Sequence, residues 1–178
     1  IFSAYLIVAV LSRAVTAQPL LIRYSGVSTT DWRRGASAAT GTALLVGVGS
    51  AIGALGIAFA SDGSLRSAFM ALALTLPGLI VQDVWRFAFF AHGRGRAAFL
   101  NDLVWAIVQL TGFVIAINLG AGTVFWAVMA WGGAASLAAL VGIAQARLMP
   151  RPLAARGWSL EHRDLLPPYI GEVAAYIL

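Results

Sequence analysis

Five apolar runs, each long enough to cross a bilayer and each followed by a short charged or glycine-rich stretch, dominate this chain. They cover residues 1–22, 36–60, 65–90, 97–119 and 123–146. The hydrocarbon core of a bilayer takes roughly 20 apolar residues of helix. Backbone that crosses it must bond to itself, so a run of this kind is predicted to be helical. The chain is 60% hydrophobic and only 11% charged, whereas soluble domains carry about 25% charged residues. These features predict an all-α, polytopic transmembrane bundle. A polar linker is expected at 148–167, and the start of a sixth helix at 168–178. Residues 1–147 form the membrane lobe in this reading. The chain opens and closes inside apolar runs and is expected to be a piece of a longer protein.

Every one of the 12 basic residues is an arginine, a usage that suits a GC-rich bacterial coding bias. The net charge of +5 does not point to nucleic acid, because the arginines sit in turns and form no basic face. Their placement sets an orientation instead. The 23–36 stretch holds three, the 86–98 region three and 147–167 four, against one at 61–66 and none at 120–122. By the positive-inside rule, loops 23–35, 91–96 and 147–167 are cytoplasmic. Trp32 in the first of these suits an interfacial anchor, and the other tryptophans suit anchors or helix packing, with sugar stacking by Trp105 or Trp126 as the lesser alternative. The chain has no cysteine, which removes disulfides and thiolate metal sites. His92 and His162 lack partners at ligand spacing, so neither a metal nor a cofactor is expected. His92 is expected to be a solvated turn residue.

Three local patterns shape the helices. Gly49, Gly53 and Gly56 lie on one stripe of the second run and are expected to admit a neighbouring backbone. Pro77-Gly78 is expected to kink or loosen the third run, as Pro19 is the first. Asp102, Trp105, Gln109, Gly112 and Ala116 recur at helical spacing, a seam facing protein.

Chemistry concentrates in the hairpin Val81–Trp105. Each arm carries an acid several residues inside its apolar end, Asp83 and Asp102, each preceded by an amide, Gln82 and Asn101. Arg86 shares a helix face with Asp83 and can reach Asp102. Arg13 lies about ten residues, roughly 15 Å of helix, from Arg23 at the membrane edge. A mid-membrane arginine costs about 2.5–3.5 kcal/mol on insertion scales, so it must face protein or water. Two readings stay open. Arg13 is either a cationic contact for an anionic substrate or the partner of Asp83 or Asp102. The two acids are either a salt-bridged register lock or a proton- or cation-linked gate, since burial favours the protonated carboxyl. Glu172 is a further candidate for such coupling.

The segments Leu11–Ser25, 82–105 and Glu161–Glu172 together resemble polysaccharide flippases. More narrowly, they resemble actinobacterial O-antigen-flippase-like members of the multidrug/oligosaccharidyl-lipid/polysaccharide exporter superfamily. The resemblance implies a two-lobe transporter with a central cavity and alternating access, of which this chain holds the N-terminal lobe. It also implies a location in the bacterial inner membrane and a polyprenyl-diphosphate-linked glycan as substrate, with glycan-assembly membrane proteins as further partners. Arg13 and Arg86 then become candidates for the diphosphate, and Asp83, Asp102 and Glu172 candidates for ion coupling or gating. A cation-coupled multidrug exporter of the same superfamily and a non-transporting scaffold subunit are the alternatives. An enzyme is not expected: no nucleophile–base set stands out, and only 147–167 offers acids and a histidine at a membrane face.

Overall fold

The computed structural model describes residues 1–165. The expected start of a sixth helix at 168–178, and Glu172 with it, lies outside the described residues. The architecture is all-α: α1 (Phe2–Val15), α2 (Ala17–Tyr24), α3 (Thr29–Phe59), α4 (Gly63–Ala91), α5 (Gly95–Asn118), α6 (Val124–Ala146) and α7 (Ala155–Glu161), with 3-10 turns at Pro152–Ala154 and Arg163–Leu165. Five stretches are long and apolar enough to cross a membrane, α1 and α2 counting together as Phe2–Tyr24. The central rod is α4, packed between α3 and α6, while α5 lies mainly along α6.

The first run is broken rather than bent. Pro19 has no N–H to give to the carbonyl four residues back, which belongs to Val15. The helix parts at Thr16, whose backbone leaves helical geometry (φ −127°, ψ −66°). The orphaned Val15 carbonyl accepts instead from the Trp158 indole at 2.8 Å. Pro77, by contrast, does not interrupt α4. The hairpin turn between α4 and α5 closes as a Schellman motif. Gly93, at φ 68°, donates to Phe90 at 2.9 Å, and the Arg94 N–H reaches back to Phe89 at 2.8 Å.

Several expectations are corrected. The helix of the second apolar run, α3, starts at Thr29, not at residue 36, because Ser28 caps it by accepting from the Asp31 N–H at 3.1 Å. Gly49, Gly53 and Gly56 meet no neighbour within 4 Å. Close approach occurs at other glycines: Gly47 lies against the Pro77 backbone, Gly78 against Ser136 and Gly142 against the Trp85 ring. Trp32 is no surface anchor. It is buried, donates to the Ala88 carbonyl at 2.8 Å and stacks on His92 at 4.3 Å, so that His92 is half-buried. The described part of the 148–167 stretch, which carries the short helix α7, is docked on the bundle, a contact the sequence alone does not address. Arg151 N–H donates to the Ser37 carbonyl at 2.9 Å, Tyr24 stacks on Trp158, and Arg23 bonds Asp164 at 2.6 Å. These contacts gather the three arginine-rich segments at one end of the bundle.

Candidate functional site

The four charged side chains singled out at membrane depth form one ladder. Arg13, in the last turn of α1, grips Asp83 with two parallel bonds, Nε to Oδ2 and Nη2 to Oδ1, both 2.7 Å. Asp83 sits eight residues, about 12 Å of helix, inside the end of α4 at Ala91. One turn on, Arg86 Nη1 stands 3.6 Å from Asp83 Oδ1. Its Nε and Nη2 hold Asp102 of α5 at 2.9 and 3.0 Å. Gln82 donates to Asp102 Oδ1 at 2.9 Å. Asn101 donates to the Ala138 carbonyl of α6 at 2.7 Å. The ladder therefore ties α1, α4, α5 and α6 together with a net charge of zero.

Physical chemistry explains why these charges survive there. Desolvating an ion costs several kcal/mol even after relaxation, and only close, well-bonded partners repay it. The planar fork of Arg13 gives the bidentate geometry that such a pair needs. Aromatic faces add to it: Arg13 lies 5.4 Å from the Phe87 ring centroid and Arg86 6.0 Å from that of Trp105. The Trp105 indole is itself fixed, donating to the Trp131 carbonyl at 3.0 Å.

The ladder is not sealed. The Asp83 side chain is 3% exposed, but Arg13 and Asp102 are each 36% exposed. An arginine has five N–H donors. Arg13 spends only Nε and Nη2 on Asp83, and among the described residues its Nη1 makes no hydrogen bond. An anion's oxygens can meet that nitrogen without breaking the ion pair. Sequence spacing anticipated the meeting of Arg86 with Asp102. For Arg13 it left two carboxylates open, and Asp83 is the partner. The bridging of Gln82 to Asp102 and the tie from Asn101 to α6 were not anticipated, although the amide before each acid was a visible signal.

Of the cavities among the described residues that lie apart from the ladder, two bear on function. One, about 310 Å³, is an apolar groove between α5 and α6 lined by Gly112, Trp126 and Met129 among others. The second, about 520 Å³, lies at the arginine-rich end between α3 and the segment that follows α6.

Compared with protein-family models, with curated proteins and with solved structures, the chain matches none of them. The sequence and the fold themselves establish an all-α protein with five candidate membrane spans, a multi-pass membrane protein by length and composition.

Proposed function

We propose that this chain is the N-terminal lobe of a transporter that flips a polyprenyl-diphosphate-linked glycan across the bacterial inner membrane by alternating access. The observation that carries this reading is the half-open charge ladder: a cation held at membrane depth by a buried acid, with a further donor unspent. A diphosphate passing Arg13 would be met by a positive group whose own desolvation is already offset by Asp83. The two-state character that alternating access needs would come from the same residues, since among the described residues the side-chain hydrogen bonds of α1 and α5 to α4 run through them. The resemblance of Leu11–Ser25 and of the hairpin to polysaccharide flippases supports the same substrate class. The arginine-rich end is cytoplasmic in this reading.

The test uses the full-length protein. In R13Q/D83N the two side chains can still hydrogen-bond, and no buried charge is left alone. Surface glycan export in a host dependent on this protein is expected to fall at least tenfold at normal protein level. Unchanged export would remove Arg13 from substrate handling. Export of cationic dyes with no dependence on glycan would favour a cation-coupled drug exporter.

One observation favours a second reading, a non-transporting scaffold: all four ladder charges are paired with one another. A scaffold would tolerate R13Q/D83N with its partner complexes intact and would move no glycan when reconstituted alone.

A further inference from the structure

The cavity at the arginine-rich end has no part in the ladder. It is lined by Thr30, Arg33, Arg34, Ser37, Arg147 and Arg151, with Leu148 and Met149 beside them. Four arginines thus line one recess of about 520 Å³, within the size range of small-ligand sites, about 300–1,000 Å³. Among the described residues no carboxylate lines it. Among the described residues Arg33, Arg147 and Arg151 form no salt bridge, and Arg34 has only a long one to Asp31 at 3.4 Å.

Its walls are built, not draped. Arg33 Nη2 donates to the Arg147 carbonyl at 2.9 Å, and Nη1 to that of Ala146 at 3.4 Å, which clamps α3 to the end of α6. Ser37 closes the other side, donating through its hydroxyl to the Met149 carbonyl and accepting the Arg151 N–H on its own carbonyl. At Gly41 the Arg151 backbone comes so close that a Cβ would stand 2.6 Å from its nitrogen. Arg147 terminates α6 in the left-handed region, at φ 51°. It is the one non-glycine residue with positive φ among the described residues. Glycine is the usual occupant of such a position, and an arginine there carries a backbone cost while adding its charge to the recess.

The surroundings identify the ligand's other half. Met149, among the lining residues, is 70% exposed, and Leu153, four residues further along the chain, is 100% exposed. Apolar side chains standing bare beside a cluster of arginines suit the boundary between headgroups and acyl chains. We infer that this recess is a binding site for the phosphate of an anionic phospholipid, with Met149 against its glycerol and upper acyl region. Basic pockets at the ends of membrane helices bind such headgroups through the same chemistry. The site is independent of the glycan reading. A lipid seated there would brace α3 against the 147–154 segment, at the end where the three arginine-rich segments meet.

The experiment is native mass spectrometry of the full-length protein in detergent, titrated with phosphatidylglycerol, with phosphatidylcholine, or with inorganic phosphate alone. Wild type is expected to retain phosphatidylglycerol well above phosphatidylcholine. R147Q/R151Q spares every backbone bond described above and should weaken retention about thirtyfold, at about fivefold per arginine. R147K/R151K should recover most of it. R156Q/R163Q removes the same charge from the same segment outside the recess, and should leave retention unchanged. Met149→Glu places an acid among the lining residues, and is expected to weaken retention even if R147Q/R151Q fails to fold. Equal retention in wild type and Met149→Glu would overturn the site. So would equal loss in R156Q/R163Q, which would mean a diffuse basic surface. Displacement by inorganic phosphate at the lipid's own concentration would overturn the lipid assignment in favour of a free-phosphate site.

Discussion

Asp83 is the residue whose loss should be felt most. Changing it to Asn leaves the Arg13 charge without its carboxylate partner. Breaking one side of a buried pair costs about 3–5 kcal/mol, and the lower figure is expected because the Arg13 side chain is 36% exposed. Thermal unfolding of the purified full-length protein should show D83N destabilised and R13Q/D83N largely restored. A double variant as destabilised as D83N and R13Q summed would mean that the pair contributes no coupling. The i, i+3 spacing and the turn between 91 and 96 made the Arg86–Asp102 contact legible in the sequence. The partner of Arg13 was not legible in that way, because choosing between Asp83 and Asp102 requires knowing which helix α1 lies against.

At the scale of the helices, the approach of α4 to its neighbours depends on missing side chains. An alanine at Gly142 would stand 2.7 Å from the Trp85 ring, and one at Gly78 would stand 2.5 Å from the Ser136 Cβ. Overpacking of this kind costs about 1–3 kcal/mol, so G78A and G142A should each lower the unfolding midpoint. The triple substitution of Gly49, Gly53 and Gly56 by Ala should not, as none of them meets a neighbour within 4 Å. A loss of stability in that triple variant would mean that the exposed stripe of α3 packs on something in the full protein. The existence and order of the long helices were readable from apolar runs, because length and hydropathy suffice for that. Two boundaries were not. The charges at 31–34 masked a helix start that the Ser28–Asp31 spacing signals as a capping pair. The break at Thr16 follows from Pro19 removing a donor three residues further on. Which glycines carry the packing was hidden as well, since a stripe on one helix does not name the helix that will face it.

At the scale of the whole molecule, two ionic devices divide the work between depth and surface. The neutral ladder joins four helices within the membrane, and the arginine-rich end is cross-braced by Trp32 on His92, Arg33 on the α6 carbonyls and Trp158 on Val15. The gathering of the arginines at one end was legible from their count per loop. The docking of 147–165 was not, because its bonds run largely between backbone and distant side chains and leave no local pattern. The central claim is that the ladder faces water inside a protein that otherwise faces lipid. The chain contributes no native thiol, so single cysteines can be read in native membranes of the full-length protein once any cysteine outside these residues has been replaced. Phe87→Cys, on the face beneath Arg13, is expected to react readily with a membrane-impermeant maleimide supplied from the arginine-rich side, while Leu45→Cys, on the outward face of α3, stays protected. Phe87→Cys as protected as Leu45→Cys would contradict the account, since the ladder would then have no aqueous face to present.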